Sequence, residues 1–204
     1  MDHGNIPIDH RAILELIEKQ TSVLDLGCGR GELMDILIKE KGCRCQGIEI
    51  DENAVYECVA RGLSVLHGDI DSGLSEYADN SFDYVVLNQS LQQLRHFDSV
   101  FKDALRVGRR VIVGLPNFAH YKTRLQLFFG GKAPVTPSLP YNWFDSPNVH
   151  FLSILDFRDY CKSRDARITH SIYLGEKMRI LLLPNLLANV AIFLLKAGTV
   201  LESG

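Results

Sequence analysis

A chain of 204 residues, 46% hydrophobic and 23% charged, is long enough to bury one sizeable core and has the composition of an ordinary globular protein. A formal net charge of −3 gives no electrostatic motive for nucleic-acid binding, which needs clustered cations against phosphates. The five cysteines (Cys28, Cys43, Cys45, Cys58 and Cys161) are odd in number and lack a second Cys/His pair at zinc-ligand spacing, so they read as free thiols with no metal.

Met1, Asp2, His3, Gly4 and Asn5 do not form a basic segment leading into an apolar run, so no signal peptide is expected and a cytoplasmic location is the default. Residues 9–19 place Ile13, Leu14, Leu16 and Ile17 at helical spacing. Residues 21–26 form a short apolar strand, and a glycine-rich turn then leads into a helix near 32–41. A second strand follows at 45–50, then a helix at 52–61 that stops at Gly62. Strands three and four are expected at 63–67 and 82–87. Asp98 is placed to cap a helix running through Val107 to Gly108, and VIVGL at 111–115 is strand five.

Around 119–129 a helical pattern puts Tyr121, Leu125 and Phe128 on one side. A long irregular stretch, 130–150, carries Pro134, Pro137, Pro140 and Pro147. Ser153-Ile154-Leu155-Asp156 matches a capping box opening a helix to about Ser163. Two more strands are expected at 167–174 and 178–183, the last running into an apolar helix at 184–195. The apolar run 180–195 falls short of the roughly 20 residues a spanning helix needs. It also contains Pro184, Asn185 and Asn189, so no membrane segment is expected.

This alternation predicts one α/β domain over residues 1–204. Its core is a doubly wound, mainly parallel seven-stranded sheet, Rossmann-like, with helices on both faces. Ligands of such sheets bind beyond the carboxyl ends of the strands. The 130–150 stretch follows strand five near that edge, where it can serve as a lid, an acceptor-facing wall or a partner-facing insertion. Tyr141, Trp143 and Phe144 suit packing onto the sheet as well as lining a site.

A glycine-rich strand-to-helix turn brings backbone amides and a positive helix end to a bound anion. That anion could be a dinucleotide pyrophosphate or the carboxylate of an amino-acid-like cofactor. The dinucleotide fingerprint wants glycines at positions one, three and six, but Gly27 and Gly29 are followed by Glu32 at position six. The glycines run instead as Gly27, Gly29, Gly31 behind Asp25, which argues against a nicotinamide or flavin cofactor. Glu49 ends strand two, where a carboxylate can accept hydrogen bonds from ribose hydroxyls, and Asp69 with Ile70 follows strand three. Asn88 and Gln89 follow strand four.

VLDLGCGRG (23–31), GIEIDENAV (47–55), HGDI (67–70) and FDYVVLNQ (82–89) resemble, in order, the motifs of class I S-adenosylmethionine-dependent methyltransferases. The resemblance implies S-adenosylmethionine, or S-adenosylhomocysteine, as the cofactor. It implies a binding set of Asp25, Gly27, Cys28, Gly29, Gly31, Glu49, Ile50, Asp69, Ile70 and Asn88. In it the glycine loop meets the methionine part, Glu49 the ribose and Asp69 the adenine, while Asp25 orders the loop and favours the ammonium group. A Glu49→Ala change is expected to weaken cofactor binding and leave the fold intact.

Ser90-Leu91-Gln92, GLPN (114–117), PVTPSLPYNWFDSPNVH (134–150) and LPNLLANVAIFLL (183–195) resemble the MetW family of methionine biosynthesis proteins. That resemblance implies work alongside a homoserine O-acyltransferase, MetX, as an accessory or regulatory subunit, and names no methyl acceptor. The alternative is a methyltransferase acting on a small molecule. Methyl transfer needs alignment and sometimes a base. His96, His120 and His150 are conceivable bases, but nothing in the sequence pairs any of them with a partner, and no catalytic residue is assigned.

Overall fold

A computed structural model describes residues 6–136 and 138–198. Residues 1–5, read as lacking a signal peptide, and Pro137 of the irregular stretch lie outside the described residues. The chain opens with α1 (Ile8–Leu16), followed by β1 (Ser22–Leu26), α2 (Glu32–Lys41), β2 (Arg44–Glu49), α3 (Glu52–Ala60) and β3 (Val65–His67). After β4 (Phe82–Asn88) come α4 (Phe97–Val107), β5 (Gly108–Pro116) and α5 (Tyr121–Gly130). The last elements are α6 (Ile154–Ser163), β6 (Ala166–Leu174), the single turn α7 (Pro184–Leu187) and β7 (Val190–Ala197).

The seven strands form one sheet in the order β3-β2-β1-β4-β5-β7-β6. Pairs among the first five are parallel, and β7 is antiparallel to both β5 and β6. The expected doubly wound, mainly parallel architecture is therefore present. Strand order reverses between β1 and β4, which opens a crevice at the carboxyl edge there.

Alternation along the central strands builds two cores. Val85 and Leu87 of β4 join Val100, Phe101 and Ala104 of α4 and Phe157 of α6 on one face. Tyr84 and Val86 point the other way, against Ala12 and Ile13 of α1 and Leu33 and Leu37 of α2. Burial on both faces is why these strands read as continuous apolar runs.

Two expectations at the chain's far end are corrected. Residues 178–183 are not a strand, and Leu181 is 87% exposed. Residues 184–195 are not one helix either. Pro184–Leu187 makes a single turn, and Val190–Ala197 is a strand buried between β5 and β6. The β-branched and aromatic residues Val190, Ile192 and Phe193 suit that slot, which offers ladder partners on both sides. Buried Asn117 at the end of β5 fixes the entry to β7: its amide donates to the carbonyls of Asn185 (3.1 Å) and Ala188 (2.8 Å).

Asp98 does not cap α4. The N-cap is His96, which makes no side-chain cap bond. Asp98 sits in the first turn and is drawn across to α6 by Tyr160 Oη (2.7 Å) and by Arg164 Nε (2.6 Å). The Ser153–Asp156 capping box forms as expected: Asp156 Oδ2 accepts from Ser153 N at 2.9 Å, and Ser153 Oγ accepts from Asp156 N at 3.2 Å. Among the described residues no helix is long and apolar enough to cross a membrane, and no His/Cys/Asp/Glu group could hold a metal ion.

Candidate cofactor site

β1 ends in Asp25 and Leu26, and the chain then turns through residues 27–31 into α2. The amides of Gly27 and Cys28 both donate to Ile48 O of β2, at 2.9 and 3.2 Å, so the loop is tied to the neighbouring strand. Gly27 (φ +77) and Gly31 (φ +72) are both in the left-handed region that glycine tolerates. A Cβ on Gly27 would also lie 2.9 Å from Ser90 Cβ, so the approach of the segment after β4 requires glycine there.

Glu49 holds this loop from β2. Its carboxylate accepts the amide of Gly29 at 2.7 Å and those of Ile50 and Asp51 at 2.9 Å each. A carboxylate has about four acceptor positions, so roughly one remains for an incoming donor. Asp25 lies beneath, 3% exposed. Burial, reinforced by the negative charge of Glu49, pushes its pKa up to about 7.

A cleft of about 610 Å³ opens at this edge, a size suited to small-molecule ligands. Gly27, Glu49, Ile50, Asp69 and Ile70 line one side of it. The other side is Gln89, Ser90, Gln93, Arg95 and His96, with Pro147 of the long irregular segment. Asp69 Oδ1 accepts the amide of Asp71 at 2.9 Å, and this orders the short turn that carries Ile70.

Not every expected residue reaches the cleft. Cys28 turns its thiol into a small buried cluster with Met34, Cys58 and Leu63, and burial pushes that thiol's pKa far up, so it is an inert packing group. Gly29 contributes its amide to Glu49, and Gly31 starts α2. Asn88 faces α1 instead, its amide donating to Asp9 Oδ2 at 3.0 Å.

Sequence reasoning missed Ser90, Asp71 and Arg95 as cleft residues, whereas His96, one of the three conceivable bases, does border the cleft. Ser90 Oγ is buried with no hydrogen-bond partner, and it stands beside Gly27 on the cleft wall. An orphaned buried hydroxyl costs about 1–3 kcal/mol, a cost that a polar ligand would remove. Burial alone would raise the pKa of Asp71, but amide bonds from Arg95 (3.0 Å) and His96 (2.8 Å) outweigh it and hold the carboxyl below its ordinary value. Gln89 carries the left-handed φ of +59 that swings this stretch over the cleft. The position after strand four was the available signal; the contacts across the β1/β4 crevice were not readable.

The histidines separate cleanly. His120 is buried, its Nδ1 accepts Lys122 N at 3.3 Å, and burial with the Lys122 charge lowers its pKa: it is a structural cap of α5. His150 packs edge-on to Phe97 at 6.2 Å. Only His96 of the three borders the cleft, with Nδ1 3.8 Å from Asp71 Oδ1.

Solved S-adenosylmethionine-dependent methyltransferases share the fold. One from Thermotoga maritima aligns with a TM-score of 0.66 at 15% identity, covering 93% of this chain and 87% of that one. One from Archaeoglobus fulgidus aligns at 0.64 and 17% identity, covering 92% and 91%. The bifunctional methionine biosynthesis protein MetXA/MetW of Rhodopirellula baltica is 32% identical over 175 residues. That match takes in 81% of this chain but spans only 28% of the longer relative. The profile described as methionine biosynthesis protein MetW matches residues 7–195, nearly the whole chain. The chain belongs to the MetW family.

Proposed function

We propose that this protein binds S-adenosylmethionine, or S-adenosylhomocysteine, in the cleft at the β1/β4 crevice and acts in the cytoplasm as an accessory or regulatory subunit of the homoserine O-acyltransferase MetX. The observation that carries the partner is the relative whose name joins MetXA and MetW in one polypeptide. The observations that support the cofactor are local. Ser90 Oγ needs a polar partner, Glu49 keeps about one acceptor position for a ribose hydroxyl, and Asp69 with Ile70 borders the space for adenine. Burial, with the charge of Glu49 added, holds the pKa of Asp25 at about 7, and a cationic group nearby would favour its ionised form. Bound S-adenosylmethionine supplies a sulfonium-activated methyl group.

Co-expression with the organism's homoserine O-acyltransferase tests the partner role. The two proteins are expected to co-purify, and acyl transfer is expected to respond to this chain and to the cofactor. Failure to co-purify, with acyl transfer unaffected, overturns it.

One feature favours methyl transfer to a small acceptor as a second reading. The cleft continues past Glu49 and Asp69 to Gln93, His96 and Pro147. Incubation with labelled S-adenosylmethionine and candidate acceptors distinguishes the two. Release of S-adenosylhomocysteine supports the enzyme; its persistent absence despite tight binding supports the subunit.

A further inference from the structure

The carboxyl edge of the sheet carries a second feature that the cleft does not use. Beyond β5 the chain forms α5, and only Thr123 of that helix is buried. Phe128 and Phe129 are 82% and 78% exposed and pack edge to face at 4.9 Å. A helix that leaves Leu125, Leu127, Phe128 and Phe129 exposed lacks a cover.

The irregular segment lies against this helix. Gln126 clasps it, accepting Val135 N at 3.0 Å and donating to Val135 O at 3.2 Å. Between them lies an apolar hollow of about 310 Å³ whose walls include Leu127, Leu139, Tyr141, Trp143 and Phe151. Trp143 is 78% exposed, so its ring rims this hollow and does not fill it. Exposed aromatic side chains around a preformed pocket are the make-up of a protein-binding hot spot.

We propose that this aromatic face, α5 with residues 131–136 and 138–151, is the surface on which the homoserine O-acyltransferase docks. The proposal rests on the partner role above and adds the place. Three observations select that occupant. In the Rhodopirellula relative the MetX and MetW names belong to one polypeptide, so an intramolecular contact has a high effective concentration there. The charge also disfavours a second copy: with Lys122 paired to Glu176 at 2.8 Å, residues 121–151 leave Arg124 and Lys132 against Asp145, in a chain of net charge −3. Two such faces would bring like charges together, whereas an acidic rim on a different protein complements them. Finally, the face is joined to the cleft. The amides of Val149 and His150 both donate to Gln92 O at 3.0 Å, Gln92 Nε2 donates to Gln89 O at 2.7 Å, and Pro147 lines the cleft itself. A partner seated here touches the segment that borders the cofactor space.

The test is affinity capture of the full-length chain with the organism's homoserine O-acyltransferase, comparing wild type with the double variant Phe128→Ser/Trp143→Ser. Both side chains are exposed, so the fold is expected to survive, with unchanged thermal unfolding and S-adenosylmethionine affinity. Binding to the acyltransferase should fall by about thirtyfold or more, the loss expected if even one of the two is a hot spot. Tyr56→Ser on α3, also exposed but far along the sheet, should bind as wild type. If wild type binds and the double variant binds equally, the surface assignment is wrong while the partner role stands. If wild type itself does not bind, the partner role fails and the surface with it. If light scattering shows a wild-type dimer that the double variant abolishes while acyltransferase binding persists, a second copy covers the face and the proposal is overturned.

Discussion

Glu49 orders the glycine loop through three amide bonds, and it is also the residue we propose for the cofactor's ribose. Its place at the end of strand two marked it for the cofactor's ribose, but its three amide bonds to Gly29, Ile50 and Asp51 depend on how the glycine loop sits against β2. The expectation that Glu49→Ala leaves the fold untouched therefore needs revision. Truncation should weaken S-adenosylmethionine binding at least tenfold, and it should also cost about 2–3 kcal/mol of stability by orphaning loop amides. Calorimetric titration paired with urea unfolding reads both, and unchanged affinity would remove the ribose assignment. Asp25 yields a pH prediction. Its carboxyl titrates near 4 when unfolded and at about 7 when folded, so between these values the native state holds a proton that the unfolded chain releases. Its contribution to stability therefore falls as pH rises through that window. Asp25→Asn removes this slope: the variant should match wild type near pH 3, below the unfolded carboxyl's pKa, and exceed it at pH 8 by up to about 4 kcal/mol. Parallel stability curves for the two proteins would contradict the burial of a strained carboxylate.

At the scale of elements, legibility followed how local the determinants are. The α6 start was readable because Ser153 and Asp156 carry their own reciprocal bonds within one turn. Ser153→Ala should cost about 1 kcal/mol and lower the melting temperature by a few degrees, with the sheet signal in circular dichroism unchanged. No loss on thermal unfolding would mean that the cap is replaced by solvent. The end of the chain was the opposite case. An apolar run such as 180–195 is ambiguous between buried helix and buried strand. What decides for strand is the gap between β5 and β6, whose β5 side comes from residues as far as 84 positions away (Val111 to Leu195). Nothing in the run itself records that gap. The same holds for Asp98, whose capping role was displaced by Tyr160 and Arg164 arriving from α6.

For the whole molecule, the order β3-β2-β1-β4-β5-β7-β6 decides where binding can occur. It sets the carboxyl ends of β1 and β4 side by side with their outgoing segments turning apart. The glycine loop leaves one strand and the Gln89–Ser90 turn leaves the other, and the Gly27–Ser90 approach closes the floor between them. Such a cleft discriminates by shape and charge. Glu32 occupies the position where the dinucleotide fingerprint has its third glycine, and Glu49 with the partly protonated Asp25 places acidic groups beneath the loop. Under the proposed function, the missing third glycine disfavours a pyrophosphate, and the acidic floor suits a ligand with a sulfonium and an ammonium group. Ligand-linked stability reads the difference in the intact chain. S-adenosylmethionine at about 100 times its dissociation constant should add about 2.7 kcal/mol, raising the melting temperature by roughly 5–10 °C, while NAD at the same concentration should leave it unchanged. A shift with NAD, or none with S-adenosylmethionine up to millimolar concentration, would mean that the cleft between β1 and β4 serves a different ligand.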